Sequence, residues 1–260
     1  MSSGRTLLVD NGSLNGAATL RLRVLAKELS QSLGRQVDPV SVLHSDKVDP
    51  TIIDGNRAQT FESYAREAKA TGCETLEVIP LFIGPSLALT EFLPELAHKV
   101  GIGLNITRTL WTPEESAGLV DILHDNLIST GWKKGKGTVL LCDHGSPIPT
   151  VTAARNDLAS QLRKRLELSS HELVACSMER REGPAYAFNE PLLADAIKCT
   201  HGEVVVLMLF LLPGRHAGPG GDVATLCAQN APAGVTWKLS PLIGENPRLT
   251  EVIRRGYTTC

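Results

Sequence analysis

No pair of the six cysteines forms a CxxC, and Cys73, Cys142, Cys176, Cys199, Cys227 and Cys260 are scattered among apolar neighbours. That pattern excludes a zinc ribbon or disulfide scaffold and predicts reduced, mostly buried thiols. No apolar run reaches the roughly 18 residues that a membrane helix needs, and the opening MSSGRTLLVD lacks the basic and apolar regions of a signal peptide. The expectation is a soluble, cytoplasmic chain with no membrane partner. Charge of one sign is missing too: 26 Lys and Arg against 28 Asp and Glu leave a net charge of −2, which argues against nucleic acid as a partner. The glycine-rich stretch PGRHAGPGGD at 213–222 is neither a GxGxxG fingerprint nor a P-loop, so it is not read as a nucleotide site. Ser13 and Ser146 lack a surrounding GxSxG elbow, which removes the frame for a serine hydrolase built on His144 and Ser146.

What is present is a duplication. Residues 6–13 read TLLVDNGS and residues 139–146 read VLLCDHGS, so Asp10, Gly12 and Ser13 recur as Asp143, Gly145 and Ser146, while Asn11 becomes His144. Residues 78–87, VIPLFIGPSL, are matched by 206–215, VLMLFLLPGR, and the next position changes from Ala88 to His216. The two offsets, 133 residues between Asp10 and Asp143 and 128 between Pro85 and Pro213, describe one duplicated domain with a small deletion. The boundaries read as 1–131, a glycine- and lysine-rich linker at 132–137, and 138–260.

Each half alternates strand and helix. The first predicts strands at 7–10, 40–43, 76–82 and 106–110 and helices at 18–33, 58–70 and 89–100. The second predicts strands at 138–142, 173–178, 204–211 and 236–239, with helices at 153–166, 191–199 and 222–229. Continuous apolar strands such as Val204-Val205-Val206-Leu207 suit parallel sheets covered on both faces, hence an α/β fold of two similar domains.

Ligands of open α/β sheets bind beyond the carboxyl ends of the strands, and His144 and His216 each follow such an end. A lone loop histidine is commonly a cap or a satisfied hydrogen-bonding group. Two of them, both missing from the similar half, point to one site that binds a late first-row metal or accepts protons. Glu179 follows the strand at 173–178 and joins the same sheet edge, although an acid beside Arg180 and Arg181 also reads as ordinary surface. The glycines of 213–222 allow close backbone approach and lead into a helix whose amino end favours anions, with Arg215 placed to hold a ligand carboxylate.

The elements LLCDHGS, SMER and VLMLFLLPGRHAGPGGD resemble the class II tetrapyrrole chelatases, specifically the sirohydrochlorin cobaltochelatase and ferrochelatase group, across essentially the whole chain. The resemblance implies two chelatase-like domains facing an interdomain cleft, each a mainly parallel sheet flanked by helices. It also implies His144, His216 and Glu179 as the catalytic, metal-handling residues. Many long members of that group carry the active histidines in the amino-terminal half, whereas here Asn11 and Ala88 stand at those positions and the carboxy-terminal half is the intact one. Met208 replaces the more usual proline.

The implied chemistry strips part of the hydration shell from a divalent ion, presents it to the ring nitrogens and removes two pyrrole protons. Neutral imidazole and carboxylate can both bind the ion and accept protons. The metal (Co2+, Fe2+ or Ni2+) is then a substrate, with no tightly bound cofactor. Ser13, Ser146, Arg215, Arg180 and Arg181 are the candidate contacts to a carboxylate-rich tetrapyrrole. A non-catalytic metal or tetrapyrrole carrier is the alternative function, and a monomer is expected over a homodimer.

Overall fold

The computed structural model describes residues 4–218 and 220–258; Cys260, among the thiols considered above, lies outside them. The chain divides into two compact units, one formed by residues 1–112 and 250–260 and the other by 113–249. The sequence repeat of 1–131, 132–137 and 138–260 is thus a different division from the packing. Residues 132–137 lie inside the second unit, where Trp132 is buried. A Cβ on Gly137 would meet Glu203 O at 1.8 Å, so the segment is anchored at its two ends by Trp132 and Gly137, while residues 133–137 are exposed.

The first unit is built on β1 (Gly4–Asp10), α1 (Gly16–Leu33), β2 (Val37–Ser41), α2 (Phe61–Ala70), β3 (Thr75–Pro80), α3 (Leu93–Val100) and β4 (Gly103–Ile106). The second unit begins with α4 (Ala117–Ser129) and continues through β5 (Thr138–Asp143), α5 (Pro149–Leu166), β6 (Leu173–Ser177), α6 (Leu193–Lys198), β7 (Glu203–Met208), α7 (Asp222–Asn230) and β8 (Thr236–Leu239). The last helix, α8 (Leu249–Thr258), returns to the first unit, where Thr250 donates to Glu28 and Tyr257 donates to Glu77 at 2.9 Å. The sheets are four-stranded and wholly parallel, in the orders β2-β1-β3-β4 and β6-β5-β7-β8. Leu7, Leu8 and Val9 on β1 and Val204 to Met208 on β7 are buried, as strands covered by helices on both faces require.

Several boundaries move, each for a local reason. Strand β2 starts at Val37 and accommodates Pro39 because it is an edge strand. The fourth strand is Gly103–Ile106 and not 106–110: the ladder ends where Thr107 N bonds Val78 O, since Pro80 has no N–H to donate onward. Helices α2 and α6 begin later than expected because the preceding residues stay extended, with Ser41 N bonding Gln59 O and Ser177 N bonding Pro191 O, both at 3.1 Å. Helix α3 is shorter than 89–100, as Ala88–Phe92 form a wider π-turn ahead of Pro94. Helices α4 and α8 lie outside the strand–helix alternation read from the sequence.

Candidate functional site

The second unit gathers its polar residues at the carboxyl edge of its sheet. Strand β5 ends on Asp143, which is 7% exposed. Its Oδ1 accepts from Ser177 Oγ at 2.6 Å and lies 3.6 Å from Arg155 Nη1. Burial pushes the Asp143 carboxyl above the usual range, and the Arg155 charge and the Ser177 hydroxyl oppose that rise. Arg155, on α5, is itself fully buried; its Nη1 donates to Ser177 Oγ and, at 2.9 Å, to Asn189 O. Asn189 in turn clamps the turn after β5, accepting from Ser146 N at 3.0 Å and donating to Ser146 O at 2.9 Å.

On this frame stands His144. Gly145 has φ of 92°, and a Cβ there would lie 1.9 Å from Glu179 O, so only glycine lets the two turns touch. The contact places Glu179 N on His144 O at 3.2 Å and brings Glu179 Oε1 to 3.6 Å from His144 Nε2. His144 Nδ1 lies 3.0 Å from Gly145 O, and a carbonyl can only accept, so the neutral ring is protonated at Nδ1 and its lone pair is on Nε2. That lone pair faces the Glu179 carboxylate, and a cation entering from solvent could be shared by the two.

His216 follows β7 and sits against the start of α7, its carbonyl accepting from Val223 N at 3.2 Å. Its Nδ1 is 2.7 Å from Asp222 Oδ2. A carboxylate partner assigns the proton to Nδ1 and again leaves Nε2 as the open ligand, the arrangement in which a carboxylate orients a metal-binding histidine. The two imidazole rings meet edge to face with centroids 4.7 Å apart. Among the described residues no group of three or more His, Cys, Asp or Glu side chains is placed to hold a metal ion together.

His144, His216 and Glu179, expected together from sequence, are therefore neighbours. The other expected residues differ in what they offer. Ser146 Oγ accepts from Ile148 N at 3.0 Å and so shapes the turn. Arg215 is 84% exposed, with Nε 3.5 Å from Asp222 Oδ2. Arg180 is committed to its own loop, pairing with Glu190 at 2.9 Å and donating to Arg181 O and Gly183 O. Arg181 lies over the Tyr186 ring. Ser13 belongs to the first unit, where its hydroxyl accepts from Asn15 N at 3.0 Å.

Sequence reasoning missed Asp222, Arg155 and Asn189 as supports. It also missed the counterpart of Glu179. In the first unit Val42 N bonds Asp10 O at 2.8 Å and Leu43 N bonds Asn11 O at 3.3 Å, which repeats the bonds of Met178 and Glu179 to Asp143 and His144. A Cβ on Gly12 would meet Leu43 O at 1.8 Å, again as in the second unit. Leu43 therefore stands where Glu179 stands, and the first unit has neither the two histidines nor the acid at these positions.

Residues 138–260 match the family model CbiX. No curated protein matches the chain. Among solved structures, CbiX, described as the terminal enzyme for biosynthesis of siroheme in denitrifying bacteria, aligns with a TM-score of 0.69 at 16% identity, covering 98% of this chain and 99% of that one. SirB from Bacillus subtilis with Fe3+ aligns at 0.66 and 16% identity, covering 98% and 94%. The sirohydrochlorin chelatase SirB from Bacillus subtilis subspecies spizizenii, in complex with cobalt, aligns at 0.62 and 16% identity, covering 98% and 92%.

Proposed function

We propose that this protein is a metal chelatase of tetrapyrrole biosynthesis, inserting a divalent metal into sirohydrochlorin or a related ring, because residues 138–260 match the CbiX family model and the chain shares its fold with solved sirohydrochlorin chelatases. The observation that carries this reading is the convergence of His144, His216 and Glu179 at one sheet edge, with the tautomers of both rings set by their Nδ1 partners.

In this reading the metal enters partly hydrated and exchanges water for the two Nε2 lone pairs and the Glu179 carboxylate. These ligands are reached from solvent, His144 being 47% and Glu179 60% exposed, so the ion is held and released instead of stored. As the ion passes to the ring, two pyrrole N–H protons must leave. The bases vacated by the metal, imidazole Nε2 and the Glu179 carboxylate, accept them and return them to water, which balances the charge of the inserted dication. Asp222 holds the His216 ring in the tautomer that this exchange needs. Arg215 and the turn at Ser146 are the candidates to receive carboxylates of the ring. Co2+ is the first metal to test, with Fe2+ and Ni2+ as alternatives, since all three accept this donor set.

The test is anaerobic absorbance of sirohydrochlorin with each metal in turn, at substoichiometric protein. Many conversions per protein molecule with at least one of the three metals are expected. A spectral change that stops at one equivalent would instead establish the carrier, and no acceleration over the protein-free rate would overturn the chelatase reading.

A further inference from the structure

The first unit contains a cavity of about 330 Å³ lined by Thr19, Leu22 and Arg23 of α1, Asp38 and Ser41 of β2, and Arg57. That volume lies within the range of small-molecule sites. In the second unit the matching positions are filled. Helices α1 and α5 align at the 133-residue offset that relates Asp10 to Asp143, so Thr19 and Leu22 correspond to Thr152 and Arg155, while Ser41 and Ser177 end the matching strands. There the Arg155 guanidinium occupies the space, bonded to Ser177 Oγ and Asn189 O and 3.6 Å from Asp143 Oδ1.

The first unit keeps the anionic half of this pair and has lost the cationic half. Asp10, the counterpart of Asp143, is 7% exposed and its Oδ1 has no hydrogen-bond partner. Leu22 supplies no charge. A buried carboxylate with one oxygen unmatched costs stability that a cation of the right shape would recover. At the same cavity Arg57 is exposed and has no ion-pair or hydrogen-bond partner among the described residues, whereas Arg23 is held by Ile53 O at 2.6 Å and Asn56 O at 2.8 Å.

We propose that this cavity binds a small guanidinium-bearing zwitterion, its guanidinium standing where Arg155 stands in the other unit and facing Ser41, the strand partner of Asp10, and its carboxylate meeting Arg57. A planar guanidinium fits better than an ammonium because its several N–H groups can be shared among separate acceptors, as Arg155 shares its own among Ser177 Oγ, Asn189 O and Asn156 Oδ1. The ligand would be an arginine or an arginine-like metabolite, and its site is separate from the metal-handling residues, all of which lie in the second unit.

Calorimetric titration of the full chain with L-arginine, and with L-citrulline as the uncharged counterpart of the same shape, tests this. Arginine is expected to bind with 1:1 stoichiometry, and citrulline at least about tenfold more weakly, as loss of a charge-assisted contact implies. Leu22→Arg, which supplies the guanidinium covalently, and Leu22→Trp, which puts a larger side chain into the space without charge, are both expected to abolish binding in proteins that remain folded by thermal melting. Arg57→Ala is expected to weaken arginine binding by about tenfold. No heat with millimolar arginine, equal binding of citrulline, or undiminished binding in Leu22→Trp would each overturn the proposal.

Discussion

A single glycine and a single aspartate set much of what each unit can do. Gly145 lets the His144 turn rest directly on the Glu179 backbone, at φ of 92°. Gly145→Ala would force these turns apart and strain the backbone by about 1–2 kcal/mol. The expected outcome is a folded protein with metal insertion reduced by at least about tenfold, read by anaerobic initial rates alongside a thermal melt. Retained activity would mean that the Glu179 contact is dispensable. In the first unit, burial raises the Asp10 carboxyl from 3.8 to about 6, with the Ser41 hydrogen bond opposing the shift. Between those values the folded state holds more protons than the unfolded one, so this group makes stability fall as pH rises from 4 to 6. Asp10→Asn removes the penalty and is expected to stabilise the protein by about 2–3 kcal/mol at pH 7 and hardly at all at pH 4. Denaturant melts at the two pH values measure this, and equal effects at both would contradict it. The histidines were legible in the sequence because they stand as differences inside two otherwise matching turns. The contrast between Leu22 and Arg155 is equally present in the sequence, but it lies on a helix, where apolar spacing dominates the pattern and no repeated motif frames it.

Strand ends and helix starts, not whole elements, bring the site together. The ends of β5 and β6 deliver His144 and Glu179, the loop from β7 into α7 delivers His216, and α7 delivers Asp222 in its first turn, where a carboxylate also favours the helix end. Asp222→Asn keeps the shape, but its amide can donate to Nδ1 and so move the ring proton to Nε2. Insertion is expected to fall by about 10–100-fold while α7 remains folded, as measured by initial rates and amide exchange. Unchanged rates would show that the His216 tautomer does not matter. The order and parallel direction of the strands followed from their apolar runs and alternation with helices. Residues such as Asn189, which joins the Ser146 turn to Arg155 across 43 positions of chain, could not be read from local pattern, because nothing near Asn189 in sequence signals its partner.

At the scale of the whole molecule, the chain leaves the first unit after residue 112 and comes back to it at 250. Helix α8 completes the first unit by burying Ile253, which is 3% exposed, and by the bonds of Thr250 to Glu28 and Tyr257 to Glu77. Ile253→Asp would place a charge in that packing, and it is expected to lower amide protection across residues 4–112 well before residues 113–249. Uniform loss across the chain would contradict two separable units. The return of α8 was hidden because a repeat announces which segments are alike and not which segments pack together.

The central claim is that the second unit alone carries the metal chemistry. Its most direct measurement compares initial rates of anaerobic metal insertion into sirohydrochlorin for the wild type, His144→Ala, His216→Ala and Asn11→Ala at equal concentrations of folded protein. Both histidine variants should fall by about 100-fold or more, while Asn11→Ala, at the corresponding position of the first unit, stays within about twofold of the wild type. Histidine variants that retain the wild-type rate, or an Asn11 variant that loses it, would contradict the account.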